Sequence, residues 1–60
     1  MTKAEAVSQF NELWSNKVNL FPHVKDDEVM KSEDWNNYTN MLCKNGVITE
    51  KQYNSWDSPA

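Results

Sequence analysis

Apolar residues recur near the start of the chain at Ala6, Val7, Phe10, Leu13 and Trp14, a three-and-four spacing that gathers them on one side of a helix centred near Phe10. Ser8, Gln9, Asn11, Glu12 and Ser15 fill the opposite side. Thr2 with Glu5 three residues later forms a capping-box pattern, so a first helix is predicted over about 3–16. Pro22 closes the connector, because the residue before a proline is pushed out of the helical region. The apolar pair Leu20-Phe21 just before it is expected to tuck under the helices.

Asp26, Asp27 and Glu28 suit the positive end of a helix dipole, and Asp26 or Asp27 can cap a second helix. Ser32 offers a later start, but one helix over about 27–44 is favoured, with Lys31, Trp35, Tyr38, Thr39 and Leu42 as its stripe and Met30 and Met41 on a flank. Gly46 can take the left-handed conformation that ends a helix, and Val47 can then fold back on Leu42. Thr49 and Gln52 form a second capping pattern, flanked by Ile48 and Tyr53 as a hydrophobic staple. A third helix over about 50–56 places Tyr53 and Trp56 on one side, and Pro59 ends the order. With no strand pattern, repeat or linker, the fold class is all-α: a small three-helix bundle forming one domain over 1–60.

A chain of 60 residues buries only about 60% of the surface its unfolded form exposes, so its core must be dense. Three Trp, two Tyr and two Phe supply the bulk for it. Apolar runs of two or three residues are far short of a membrane span, and the first residues lack the apolar stretch of a signal peptide. The single Cys43 excludes an internal disulfide and a four-thiolate zinc site. These features lead us to expect a cytoplasmic protein with no membrane partner. Nine acidic residues oppose six basic ones, all lysine, for a net charge of −3. That balance disfavours nucleic acid as a partner, since DNA readers carry a basic face and rely on Arg for guanine. It is also a smaller excess than a mimic of the phosphate backbone needs.

Candidate chemistry is sparse. His23 is the only histidine, and it has neither the partner ligands of a zinc site nor a spacing to Cys43 that suggests a nucleophile and base. Asp26-Asp27-Glu28 lacks the alternating ligands and central Gly of a calcium loop, and Gly46, the only glycine, cannot make a phosphate cradle. No cofactor, no metal and no enzymatic activity are expected, since three short helices leave little room for the ligand pocket of about 300 Å³ that binding typically needs.

Asn36, Asn37 and Asn40 are less ordinary. Three asparagines inside a helix forgo about 1–2 kcal/mol relative to alanine. Either they form a solvated back face or they are a polar recognition face. Trp14 or Trp56, beside Leu20 or Phe21, would anchor an interface if the small core leaves it exposed. The candidate interaction surface is therefore Asn36, Asn37, Asn40, Trp14, Leu20, Phe21 and Trp56.

Residues Trp35-Asn36-Asn37-Tyr38-Thr39, Leu42 to Gly46, Ile48-Thr49, Gln52-Tyr53 and Trp56 to Pro59 together resemble small proteins encoded by tailed phages and prophages. The resemblance covers roughly half the chain and implies a bacterial-cytoplasm setting, with no catalytic residues to carry over. Gly46 to Tyr53 is also similar to the G-x-I-T-x-x-E-[FY] core of SHOCT-type short carboxy-terminal domains, which implies oligomerisation. Gln52 stands where that motif has an acidic residue. The function expected is a non-catalytic adaptor or inhibitor that binds a host or phage protein, and self-association as a homodimer is compatible with it. The alternative is a helix-turn-helix-like nucleic-acid binder built on the second and third helices, with Lys44 and Lys51 on phosphates and Asn or Gln on adenine edges.

Overall fold

The computed structural model describes residues 1–59. Helix α1 runs Lys3–Leu20, α2 runs Glu28–Lys44 and α3 runs Glu50–Ser55, with a 3-10 turn at Pro22–Val24 between the first two. The described residues hold no strand. The fold is all-α with three helices, as the sequence pattern predicts.

Both capping boxes form. The Glu5 N–H donates to the Thr2 hydroxyl at 3.2 Å, and the Thr2 N–H donates to Glu5 Oε1 at 3.0 Å. These bonds to the carboxylate, the backbone one first, hold Glu5 below its ordinary value of 4.5. At α3 the Gln52 N–H donates to the Thr49 hydroxyl at 3.1 Å, and the Thr49 N–H donates to Gln52 Oε1 at 2.9 Å. Asp27 caps α2 by accepting from the Met30 N–H at 3.0 Å, so the earlier of the two candidate starts is the one used.

Helix α1 is four residues longer than expected. Nothing between Asn16 and Leu20 breaks a helix, and the stop is the pre-proline effect itself: Phe21 sits at φ −132° and ψ 77°, and its N–H closes the helix on the Lys17 carbonyl at 2.8 Å. This extension corrects the expectation for Leu20 and Phe21. They do not tuck under the helices but stand 75% and 52% exposed. The connector's buried residue is Val24, turned inward by the 3-10 turn that begins at Pro22. At the other end, α3 stops at Ser55 and Trp56 is its C-cap.

The α2–α3 turn closes as a Schellman motif. Gly46 has φ +74°, the Val47 N–H donates to the Leu42 carbonyl at 2.9 Å and the Gly46 N–H to the Cys43 carbonyl at 3.1 Å. The Val47 side chain stays 43% exposed, so the fold-back is made by backbone, and Ile48 is the residue that enters the core.

Ala6, Phe10, Trp14, Val24, Trp35, Leu42 and Ile48 form that core, with Tyr38, Tyr53 and Trp56 packed against it. Phe10 meets Trp35 edge-on, with ring centroids 5.3 Å apart and planes at 82°. Thr39, on the same face of α2, is buried and donates its hydroxyl to the Trp35 carbonyl at 3.0 Å. Leu13 and Met41, expected inside or on its flank, are 54% and 50% exposed.

The expected cost of Gly46→Ala is about 1 kcal/mol, because a β-carbon there meets no atom within 4 Å and only the left-handed backbone resists it. Thermal unfolding should show a fall of about 4–8 °C. Glu5→Gln keeps the capping geometry, as Gln52 does in α3, and removes the titrating group. Because the Glu5 carboxyl is held low in the folded chain, its stabilisation is present above 4.5 and is lost as pH falls through the lowered folded value. Protection of the amides in α1's first turn, taken relative to their intrinsic exchange rate at each pH, should therefore fall on acidification in the wild type more than in Glu5→Gln.

Candidate interaction face on the first helix

Two side-chain links join α1 to α2 and show that the helices run antiparallel. Tyr38 donates its hydroxyl to Gln9 Oε1 at 2.8 Å, and Lys17 Nζ meets Asp34 Oδ2 at 2.7 Å. Residue numbers rise along α1 between these links and fall along α2. Between them lies an open depression of about 210 Å³ lined by Phe10, Leu13, Trp14, Lys17, Asp34 and Tyr38. Its base is aromatic. Lys17 Nζ also lies 5.7 Å from the Trp14 ring centroid, so one ammonium serves a carboxylate and a ring face. Burial raises the Tyr38 phenol above its ordinary 10.0, which extends its role as donor to Gln9 further into the alkaline range.

The outer edge of this depression is apolar and continues down α1. Leu13 and Leu20 are seven residues apart and so differ by only about 20° around the helix. Phe21 comes next, its ring packed edge-on against His23 at 6.2 Å. Leu13, Leu20 and Phe21 thus make a ridge of exposed apolar side chains that starts at the edge of the aromatic hollow and is interrupted by Asn16 and Lys17.

The residues expected to form one interaction surface are divided by the fold. Leu20 and Phe21 lie on this ridge. Trp14 is nearly buried at 9% exposure and contributes its ring to the hollow, so it is not the protruding anchor considered for it. Trp56 is half-buried against the core at the end of α3. Asn36 and Asn37 are exposed but about 100° apart around α2. Asn40 lines a separate cleft of about 490 Å³ with Cys43, Lys44, Glu50, Tyr53 and Asn54. That cleft, and another of about 320 Å³ lined by Lys25, Asp26, Asp27, Glu28, Lys31 and Pro59, are larger than expected of three short helices, and both are polar. Sequence reasoning does not place Leu13, Lys17 and Asp34 on the interaction surface. The signal for it is the seven-residue step from Leu13 to Leu20, hidden when the helix is expected to stop at 16.

His23 and Cys43 fall in different places, one in the exposed connector and one on the α3 side of α2. The described residues contain no cluster of three or more metal-ligating side chains, and no helix among them is long and apolar enough to cross a membrane. Lys44 and Lys51 are both exposed, but α3 has six residues and carries Glu50 in its first turn, where a recognition helix would meet bases and phosphates. No protein-family model matches the chain, no curated protein matches it and no solved structure matches it.

The Lys17–Asp34 pair leaves both side chains about a third exposed, at 36% and 31%. Lys17→Met should therefore cost no more than about 1 kcal/mol in chemical denaturation, and less as salt rises.

Proposed function

We propose that this chain is a small, non-catalytic protein–protein interaction module of phage type, acting in the bacterial cytoplasm as an adaptor or inhibitor of a host or phage protein. The observation that carries this reading is the ridge of Leu13, Leu20 and Phe21, 54%, 75% and 52% exposed, beside an aromatic hollow. Exposed large apolar side chains gathered on one face mark an interface, and scattered ones do not. Six large apolar side chains stay outside a core of seven, and the three on this face forgo stability that a partner can restore. The polar side chains around the ridge, Gln9, Asn16 and the Lys17–Asp34 pair, supply a hydrogen-bonding rim.

Affinity capture from bacterial lysate on the immobilised chain tests this. Wild type is expected to retain a discrete protein that Leu13→Lys/Leu20→Lys loses and that Val29→Lys keeps, Val29 being 71% exposed on α2 and off the ridge. Retention unchanged in the double variant, or nothing above background with wild type, would reject the reading.

A further inference from the structure

We infer that the α1 ridge is self-complementary and that the partner it fits is a second copy of this chain, joined in a parallel, two-fold pairing of the α1 helices. This rests on the ridge being an interaction surface and names one occupant for it.

Charge placement selects the pairing. With Leu13 and Leu20 at equivalent positions of a heptad, Asn16 occupies the other seam position, while Glu12 and Lys17 flank the seam on its two sides. Glu12 precedes Lys17 by five residues, the offset at which flanking positions of two parallel helices meet. A parallel pairing therefore sets each Glu12 against the Lys17 of the other copy, twice by symmetry. An antiparallel pairing puts Glu12 of one copy and Lys17 of the other on opposite sides of the seam, so neither charge meets its complement. The parallel pairing alone makes the two ion pairs.

The surrounding structure suits the parallel arrangement. Glu12 is exposed, and its carboxylate makes no ion pair or hydrogen bond among the described residues. Lys17 is held at the rim of the hollow by Asp34, and an ammonium has three donors, so it can take a second carboxylate without releasing the first. In a two-fold parallel pairing Asn16 stands opposite its counterpart, where the two side-chain amides can hydrogen-bond to each other. A foreign helix would require none of this internal matching.

Area sets the strength. A stable dimer buries about 800 Å² per partner, nearly a fifth of this chain's 4279 Å². Two turns of α1 and Phe21 supply less than that, so the dimer is weak and concentration-dependent.

Sedimentation of the purified, reduced chain from about 10 µM to about 1 mM tests the inference. The apparent mass should rise from 7.0 kDa toward twice that value. Leu13→Lys and, separately, Leu20→Lys should remain monomeric with unchanged helicity by circular dichroism, since both sites are exposed, while Val29→Lys should dimerise like wild type. Glu12→Lys should raise the dissociation constant about threefold to tenfold, by replacing attraction with repulsion across the seam. A mass fixed at one chain, a dimer that survives Leu13→Lys, or one that Val29→Lys removes would overturn the second copy as occupant. An undiminished Glu12→Lys dimer would overturn the parallel pairing. If the chain stays monomeric while wild type, and not Leu13→Lys/Leu20→Lys, retains a lysate protein, the interaction face stands and only the self-pairing fails.

Discussion

The edge-on contact between Phe10 and Trp35 is the constraint on which the rest of the structure depends. Trp35 is the most enclosed large side chain, at 1% exposure, and Phe10 is the ring that α1 sets against it. In a core this small, a pair of rings occupies volume that a larger domain would fill with many aliphatic side chains, and a T-shaped pair adds about 0.5–1.5 kcal/mol beyond its burial. The contact also orients. Once Phe10 points at Trp35, the Ala6–Phe10–Trp14 ridge faces α2, Tyr38 is carried to Gln9, and Lys17 is carried to Asp34. Thr39, one turn beyond Trp35, shares the buried face because its hydroxyl can bond back to the Trp35 carbonyl.

That orientation explains why Leu13 is outside. It lies about 60° from Phe10 and about 100° from Trp14 around α1, on the side away from the core centre. A third helix of comparable length could cover it. Here α3 has six residues and packs on α2, so no third helix covers the Leu13 side of α1. The exposed ridge is a consequence of one short helix.

Local chemistry is legible where a single residue type can do the job. The two capping boxes, the Asp27 cap and the left-handed Gly46 each arise from hydrogen-bonding groups or backbone freedom within four residues, and all three helices begin where those signals stand. The far end of α1 is not legible in the same way, because no stop signal stands near 16 and only the pre-proline geometry at Phe21 marks the real end. The candidate surface is less legible still, for a related reason. Periodicity identifies which residues share a helix face, but which face is covered depends on the length and placement of the neighbouring helices. Hydrophobicity alone assigns Leu13, Leu20 and Phe21 inward, and closeness in sequence groups three asparagines although the helix turns Asn37 about 100° away from Asn36.

Gln52 shows how a residue that reads as cap chemistry also serves the tertiary fold. Its Oε1 accepts from the Thr49 N–H, and its Nε2 donates to the Met1 carbonyl at 3.1 Å, tying α3 to the start of the chain. A glutamate could supply the first bond but, ionised, has no proton for the second. The acidic residue at the matching position of the short carboxy-terminal motif would therefore keep the helix cap and break the link between α3 and the amino terminus. In a chain with so few long-range contacts, that link is one of the few that hold α3 to anything other than α2. The amide at this position thus does two jobs in the fold of this chain, closing the cap of α3 and holding α3 to the amino terminus.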